Sequence, residues 1–186
     1  VLNFRISNIH VSFVNGLRRL ILSDIPTVVF KTFPHDESDC VINTNTSKFN
    51  NEIIKQRLSC IPIHIDDFTI PVNQLVIHLK YENNTSHVEY VTTEHIKIWN
   101  TALNAYLPET EVRNIFPVNV LSNSYIDILR LSPNYISDKH KSTGESIDLR
   151  CNMSINTAKT NYMFNVVSKV TFGNTPLPRE ELEALY

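Results

Sequence analysis

Apolar and polar positions recur along this chain with two different periods, and the switch from one to the other marks out its elements. Between Val11 and Phe30 the sequence reads VSFVNGLRRLILSDIPTVVF, and Phe13, Val14, Leu17, Leu20 and Ile21 recur at the spacing that puts them on one side of an α-helix. Asn15, Arg18, Arg19 and Leu22 point elsewhere, so one face is apolar and another carries paired arginines, an arrangement suited to two different neighbours. The helix is expected to stop at Ile25-Pro26, because the residue before a proline is pushed out of the helical region and proline cannot donate the helical hydrogen bond. Thr27-Val28-Val29-Phe30 reads as a strand leaving it. Ahead of it Leu2, Phe4 and Ile6 alternate as a strand, with Ser7, Asn8 or Ser12 available as caps.

A second helix is expected after Asn50 or Asn51, either of which can cap it, with Glu52 placed to complement the helix dipole. Ile53, Ile54, Arg57, Leu58 and Ile61 form its expected inward face and Pro62 stops it. An arginine in that face requires a carboxylate or carbonyl partner, because an unpaired buried charge is costly. From Ile63 to about His140 the pattern is β-rich with irregular connections. Leu75, Ile77, Leu79 and Tyr81 alternate up to Glu82-Asn83-Asn84, and Val88 to Thr92 returns, which predicts an antiparallel hairpin. Asn104 to Asn114, with Pro108, reads as an exposed loop, and Ile126, Ile128 and Arg130 alternate beyond it. The two longest alternating runs follow: Ile147, Leu149, Cys151, Met153, Ile155, and Tyr162, Phe164, Val166, Ser168, Val170, Phe172. Pro176 to Glu183 looks like the start of a last helix, with proline and acidic residues in its first turn.

Composition narrows the function classes. The length of 186 residues allows one domain with a sizeable core or two small ones. A net charge of -2 gives no global reason to expect nucleic-acid binding, so any DNA contact is local or indirect. No apolar run reaches the roughly 20 residues of a membrane span. The start carries no basic stretch followed by an apolar one, which leaves a secretory route unsupported, and a first residue other than Met leaves that end open. Cys40, Cys60 and Cys151 are odd in number and widely spaced, which fits buried free thiols in a reducing compartment better than a disulfide frame or a zinc site. The Asn- and Ile-rich composition matches an AT-rich genome, as in large DNA viruses of eukaryotes.

Several motifs in fixed order carry a more specific message. Phe4, then Asn15-x-Leu17-Arg18-Arg19, then Asp24-Ile25-Pro26-Thr27, then Glu52-x4-Arg57-Leu58-x2-Ile61-Pro62-Ile63 resembles the alpha-like subunits of cellular DNA-directed RNA polymerases. These are the bacterial alpha subunit, its archaeal equivalent and the third-largest subunit of eukaryotic RNA polymerase II. A later match at Gly144, Leu149, Cys151, Ala158 and Lys159 extends the resemblance over nearly the whole chain. Val91 to Ile96 is similar to a segment of the eukaryotic third-largest subunits, with Glu94 and His95 in place of the usual small polar residue and aspartate.

The resemblance implies an α+β fold, in which a discontinuous alpha-like dimerisation domain, residues 1–62 and 144–186, has helices on an antiparallel sheet. A β-rich insert domain, residues 63–143, interrupts it. The implied function is that of a non-catalytic assembly subunit of a nucleotidyltransferase complex. It would pair with a smaller alpha-like subunit and recruit the second-largest and largest subunits for transcription, touching DNA only through the complex. Phe13, Val14, Leu17, Leu20 and Ile21 would serve the core and the alpha-like partner. Asn15, Arg18, Arg19 and Lys159 would face the second-largest subunit, while Glu52, Arg57, Leu58 and Pro62 would be structural. No cofactor is implied, and the cysteines of the zinc-binding loop found in some relatives are missing, so no metal is expected. In the family a long helix follows position 183, so the chain is expected to be a fragment or to have a disordered remainder.

Other chemistry fits less well. His35 lies beside Asp36, Glu37 and Asp39, but no second histidine stands at ligand spacing, and an exposed loop histidine accounts for it. Adjacent Asp66 and Asp67 would point to opposite faces of a strand. There is no G-x-S-x-G, H-E-x-x-H or P-loop, and three glycines leave little for a phosphate cradle. The competing class is a stand-alone β-rich binding module, a viral structural or glycan-binding domain, with sequons at Asn45, Asn83, Asn84 and Asn152. It leaves the ordered motifs unexplained.

Overall fold

Helix α1 (Val11–Ser23) forms where the period predicts it, in a computed structural model that describes residues 2–133, 136–137, 140–141 and 144–175. Its cap is not Ser7, Asn8 or Ser12 but His10, whose Nδ1 accepts from the Ser12 N–H at 3.2 Å. An imidazole nitrogen at this position does the work of a serine or asparagine oxygen. The segment from Leu2 to His10 is irregular rather than a strand, because alternation yields a strand only where a neighbouring strand takes up its hydrogen bonds. The expected helix over 176–183 lies outside the described residues.

The residues before Pro26 together with those after Asn156 form one compact unit, and Pro26–Asn156 forms the other. The second unit holds the main core. Its five-stranded sheet runs in the order β2 (Cys40–Asn45), β10 (Ser146–Asn152), β3 (Leu75–Glu82), β5 (Lys97–Asn100), β6 (Ala105–Tyr106), antiparallel throughout. Smaller pairs join β4 (Glu89–Thr92) to β7 (Asp127–Leu131), β1 (Thr27–Val29) to β11 (Ser154–Asn156), and β8 (Ile136–Ser137) to β9 (His140–Lys141). With helices α1, α2 (Asn51–Ser59) and α3 (Glu109–Ile115), the fold is α+β.

One face of the five-stranded sheet supplies the core. Ile77, Leu79, Ile98, Ile147 and Leu149 are buried there with Ile54 and Leu58 of α2, which lies against β2 and β7. Asn50 caps α2 by accepting from the Ile53 N–H at 2.9 Å. Its inward face is Ile54, Lys55, Leu58 and Ser59, whereas Ile53 and Arg57 are exposed, a rotation from the expected face. The rotation is held by hydroxyls: Ser59 Oγ donates to the Phe30 carbonyl at 3.1 Å, and Thr32 Oγ1 donates to the Lys55 carbonyl at 2.9 Å.

The expected hairpin of β3 with β4 does not form, because β10 and β5 occupy both edges of β3 and β4 pairs with β7. Asn83 redirects the chain. Fully buried, it donates to the His87 carbonyl at 2.8 Å and the Leu131 carbonyl at 2.9 Å, and its Oδ1 accepts from the N–H and hydroxyl of Thr85. Asn104 to Asn114 is not one loop: it contains β6 and α3, the latter starting after Pro108 and burying Val112. The run from Tyr162 to Phe172 forms no strand. Tyr162–Phe164 is a single 3-10 turn, the rest is irregular, and Tyr162 is 89% exposed.

Cys40 and Cys151 are buried and face each other across β2 and β10, while Cys60, expected to be buried, is exposed. The Asn152 N–H donates to the Asp39 carbonyl at 3.0 Å, so the two cysteines occupy a non-hydrogen-bonded position of the ladder, where side chains approach most closely. Contact with Cys40 and burial push the Cys151 thiol well above its ordinary pKa.

Candidate functional site

Helix α1 buries none of its residues. Phe13 is 68% exposed and Leu20 is 56% exposed, so the apolar stripe is open in this chain. With Val14 and Leu17 they line a shallow groove of about 470 Å³. Ile6 and Ile9, from the segment before the helix, also line it, as does Gly16, where a Cβ would meet open space. Ile21 is half-buried and does not line the groove. An isolated helix of this length is marginal in water and is ordinarily stabilised by packing of its apolar face.

The paired arginines sit on the same helix. Arg18 Nε donates to Asn15 Oδ1 at 3.0 Å, an exposed contact between residues three apart on the helix surface. Arg19 is exposed, and neither arginine makes an ion pair among the described residues. Lys159 is exposed, and its main-chain N–H donates to the carbonyl of Ser23 at 3.0 Å. That bond caps the C-terminal end of α1 and brings the Ala158-Lys159 turn beside Ser23, beyond the paired arginines, which lie in the middle of the helix.

The other motif belongs to α2, in the second unit. Glu52 is exposed in the first turn, Leu58 is fully buried, and Pro62 is exposed beyond the helix end. Arg57 Nε donates to the Ile128 carbonyl at 2.6 Å and its terminal nitrogen to the Asp127 carbonyl at 2.8 Å, tying α2 to β7. Its guanidinium also lies over the ring of Phe49.

The sequence reading missed Ile6, Ile9 and Gly16 as members of the groove. Ile6 and Ile9 stand ahead of the helix, and their spacing continues the stripe only once the turn at Asn8, with φ of 60°, is known. Asn83 bears on the glycan-binding alternative: both hydrogens of its amide are engaged and the side chain is buried, so the sequon there offers no acceptor nitrogen. No helix is long and apolar enough to cross a membrane, and no cluster with metal-ligand composition occurs among the described residues.

Residues 3–172 match the family described as the RNA polymerase Rpb3/Rpb11 dimerisation domain. A conjugation stage-specific protein of Tetrahymena thermophila is 26% identical over 193 residues, covering 93% of this chain and 56% of its own length. The chain therefore spans little more than half of that relative.

Proposed function

The chain belongs to the RNA polymerase Rpb3/Rpb11 dimerisation-domain family, and from that premise we propose that it is a non-catalytic assembly subunit of a multisubunit DNA-directed RNA polymerase. The observation that carries this reading is the open apolar groove on α1, in a chain whose family is defined by pairing. Phe13, Val14, Leu17 and Leu20 receive a smaller alpha-like partner, with Ile21 at the margin of that face. Asn15, Arg18, Arg19 and Lys159 meet the second-largest subunit, where guanidinium groups can bond carboxylates or carbonyls in pairs. Glu52, Arg57, Leu58 and Pro62 keep α2 in place. The two large catalytic subunits are recruited once the alpha-like pair has formed, and DNA is met only through the complex.

The functional boundaries, 1–62 with 144–186 for dimerisation and 63–143 for the insert, belong to this proposal, as does action inside the cell in a reducing compartment. A viral origin rests on composition alone.

The test is affinity purification of the tagged protein from its native source in moderate salt, with mass spectrometry of what co-elutes. Recovery of two very large chains and a small alpha-like one, with DNA-dependent RNA synthesis in the eluate, is the expected result. A monomer that recruits none of them overturns the reading.

A further inference from the structure

The outer face of the five-stranded sheet is open, and its composition is unlike that of an ordinary solvated face. Register places Val76, His78 and Lys80 of β3 on one side with Trp99 and Lys97 of β5, Tyr106 of β6 and Arg150 of β10. These residues are exposed or half-buried, while Ile77, Leu79 and Ile98 between them point into the core. The three rings hold one another. Tyr106 meets Trp99 edge-on at 4.8 Å between centroids and His78 at 5.6 Å, and His78 lies parallel to Trp99 within 4°. The Tyr106 hydroxyl and His78 Nδ1 are 2.9 Å apart. Aromatic groups already fixed in the free chain lose little rotamer freedom on docking, which is what makes them good anchors.

Lys80, Lys97 and Arg150 surround these rings, and none makes an ion pair among the described residues, where the ion pairs are Lys31–Glu37 and Arg113–Glu109. The face also carries two carboxylates, Glu82 and Asp148, the latter accepting from Asn43 at 3.3 Å. A continuous phosphate backbone would run against those two acids on a chain of net charge -2. A short protein segment needs only local complementarity: apolar groups on Trp99 and Tyr106, carboxylates on Lys97 and Arg150.

We propose that this face is a second docking surface, which takes an acidic segment of a further subunit of the same assembly. The inference rests on the assembly reading above, but concerns the other compact unit and other residues. It is tested on the assembly purified through the tagged full chain. Acetylation of Lys80 and Lys97 is compared between free chain and assembly, and a zero-length carbodiimide cross-linker joins lysines to touching carboxylates. The expected result is protection of both lysines, with cross-links from Lys80 or Lys97 to Asp or Glu of another polypeptide. Lys97→Glu with Arg150→Glu should reduce recovery of that polypeptide by at least about tenfold, with the alpha-like partner retained. The melting temperature and Trp99 emission of the free variant, unchanged from wild type, show that the sheet is intact. Lysines equally reactive in both states, or protection removed by nuclease, would overturn the proposal and leave the assembly reading standing. Absence of the alpha-like partner from the wild-type eluate would sink both.

Discussion

The guanidinium of Arg57 is bonded to the main chain of β7 at Ile128, 2.6 Å away and 71 residues further along the sequence. A side chain outside the core thereby fixes where α2 lies on the sheet, because the carbonyls it binds are out of reach of a shorter residue. Arg57→Ala should cost about 1 to 2 kcal/mol, since water can rehydrate part of what is freed. Urea unfolding monitored at Trp99 measures it, and a loss under a few tenths would show that the bonds hold nothing. Arg57→Lys, which lacks the fork, should recover less than half.

Asn83 is the harsher test of the same principle, because its side chain is buried and its bond to the Leu131 carbonyl is shielded from water. Asn83→Ala takes the buried donor from the Leu131 carbonyl, while the exposed His87 carbonyl keeps the Thr85 hydroxyl, and should destabilise by about 1 to 3 kcal/mol. Thermal melts give the value, and a near-neutral outcome would mean that the loop relaxes to reach water.

Helix α1 gives the opposite expectation. Since it buries none of its residues, Phe13→Asp should change the stability of the chain alone by no more than about 0.5 kcal/mol. Pairing with an alpha-like partner should be lost, as read by co-purification. Retained pairing would remove the groove from the interface.

Arg18→Ala with Arg19→Ala separates the two roles given to this helix. The double variant should fold and pair with the alpha-like chain, yet bring down less of the second-largest subunit. Assembly equal to wild type would show that both side chains serve only water.

His78 makes a pH-dependent contribution. Burial pushes its imidazole below the ordinary 6.5, Arg150 adds to that and Asp148 opposes it. The unfolded chain therefore takes up the proton first as pH falls, so stability from this group is complete above about 6.5 and declines below it. Urea midpoints between pH 7.5 and 5 should fall less steeply in His78→Gln than in wild type, and parallel slopes would refute the assignment.

What the sequence made legible was whatever a single element fixes by itself. The extent of α1 follows from period and proline though not its cap, and α2 follows from Asn50 and Pro62 though not its inward face. The buried Ile147, Leu149, Cys151 and Met153 follow from alternation, which fails at the exposed Ile155. What it hid was pairing. Whether Val88 to Thr92 returns along β3 depends on Asn83 reaching Leu131, a contact 48 residues distant. The alternation from Tyr162 to Phe172 is as regular as that of β10, but β10 has neighbours on both edges and the later run has none among the described residues. Helix α3, with a single buried residue, is too short for a period to declare itself. The cluster of His78, Trp99 and Tyr106 exists only through strand register, since the three come from different strands.

The uncovered stripe on α1 also bears on how much of the protein a cell keeps. Apolar surface that stays open without its partner is what chaperones hold and proteases cut, so molecules made in excess are cleared while paired ones persist. On the proposed pairing, the amount of this chain would then be set by the supply of the smaller one, through a groove that eight residues line.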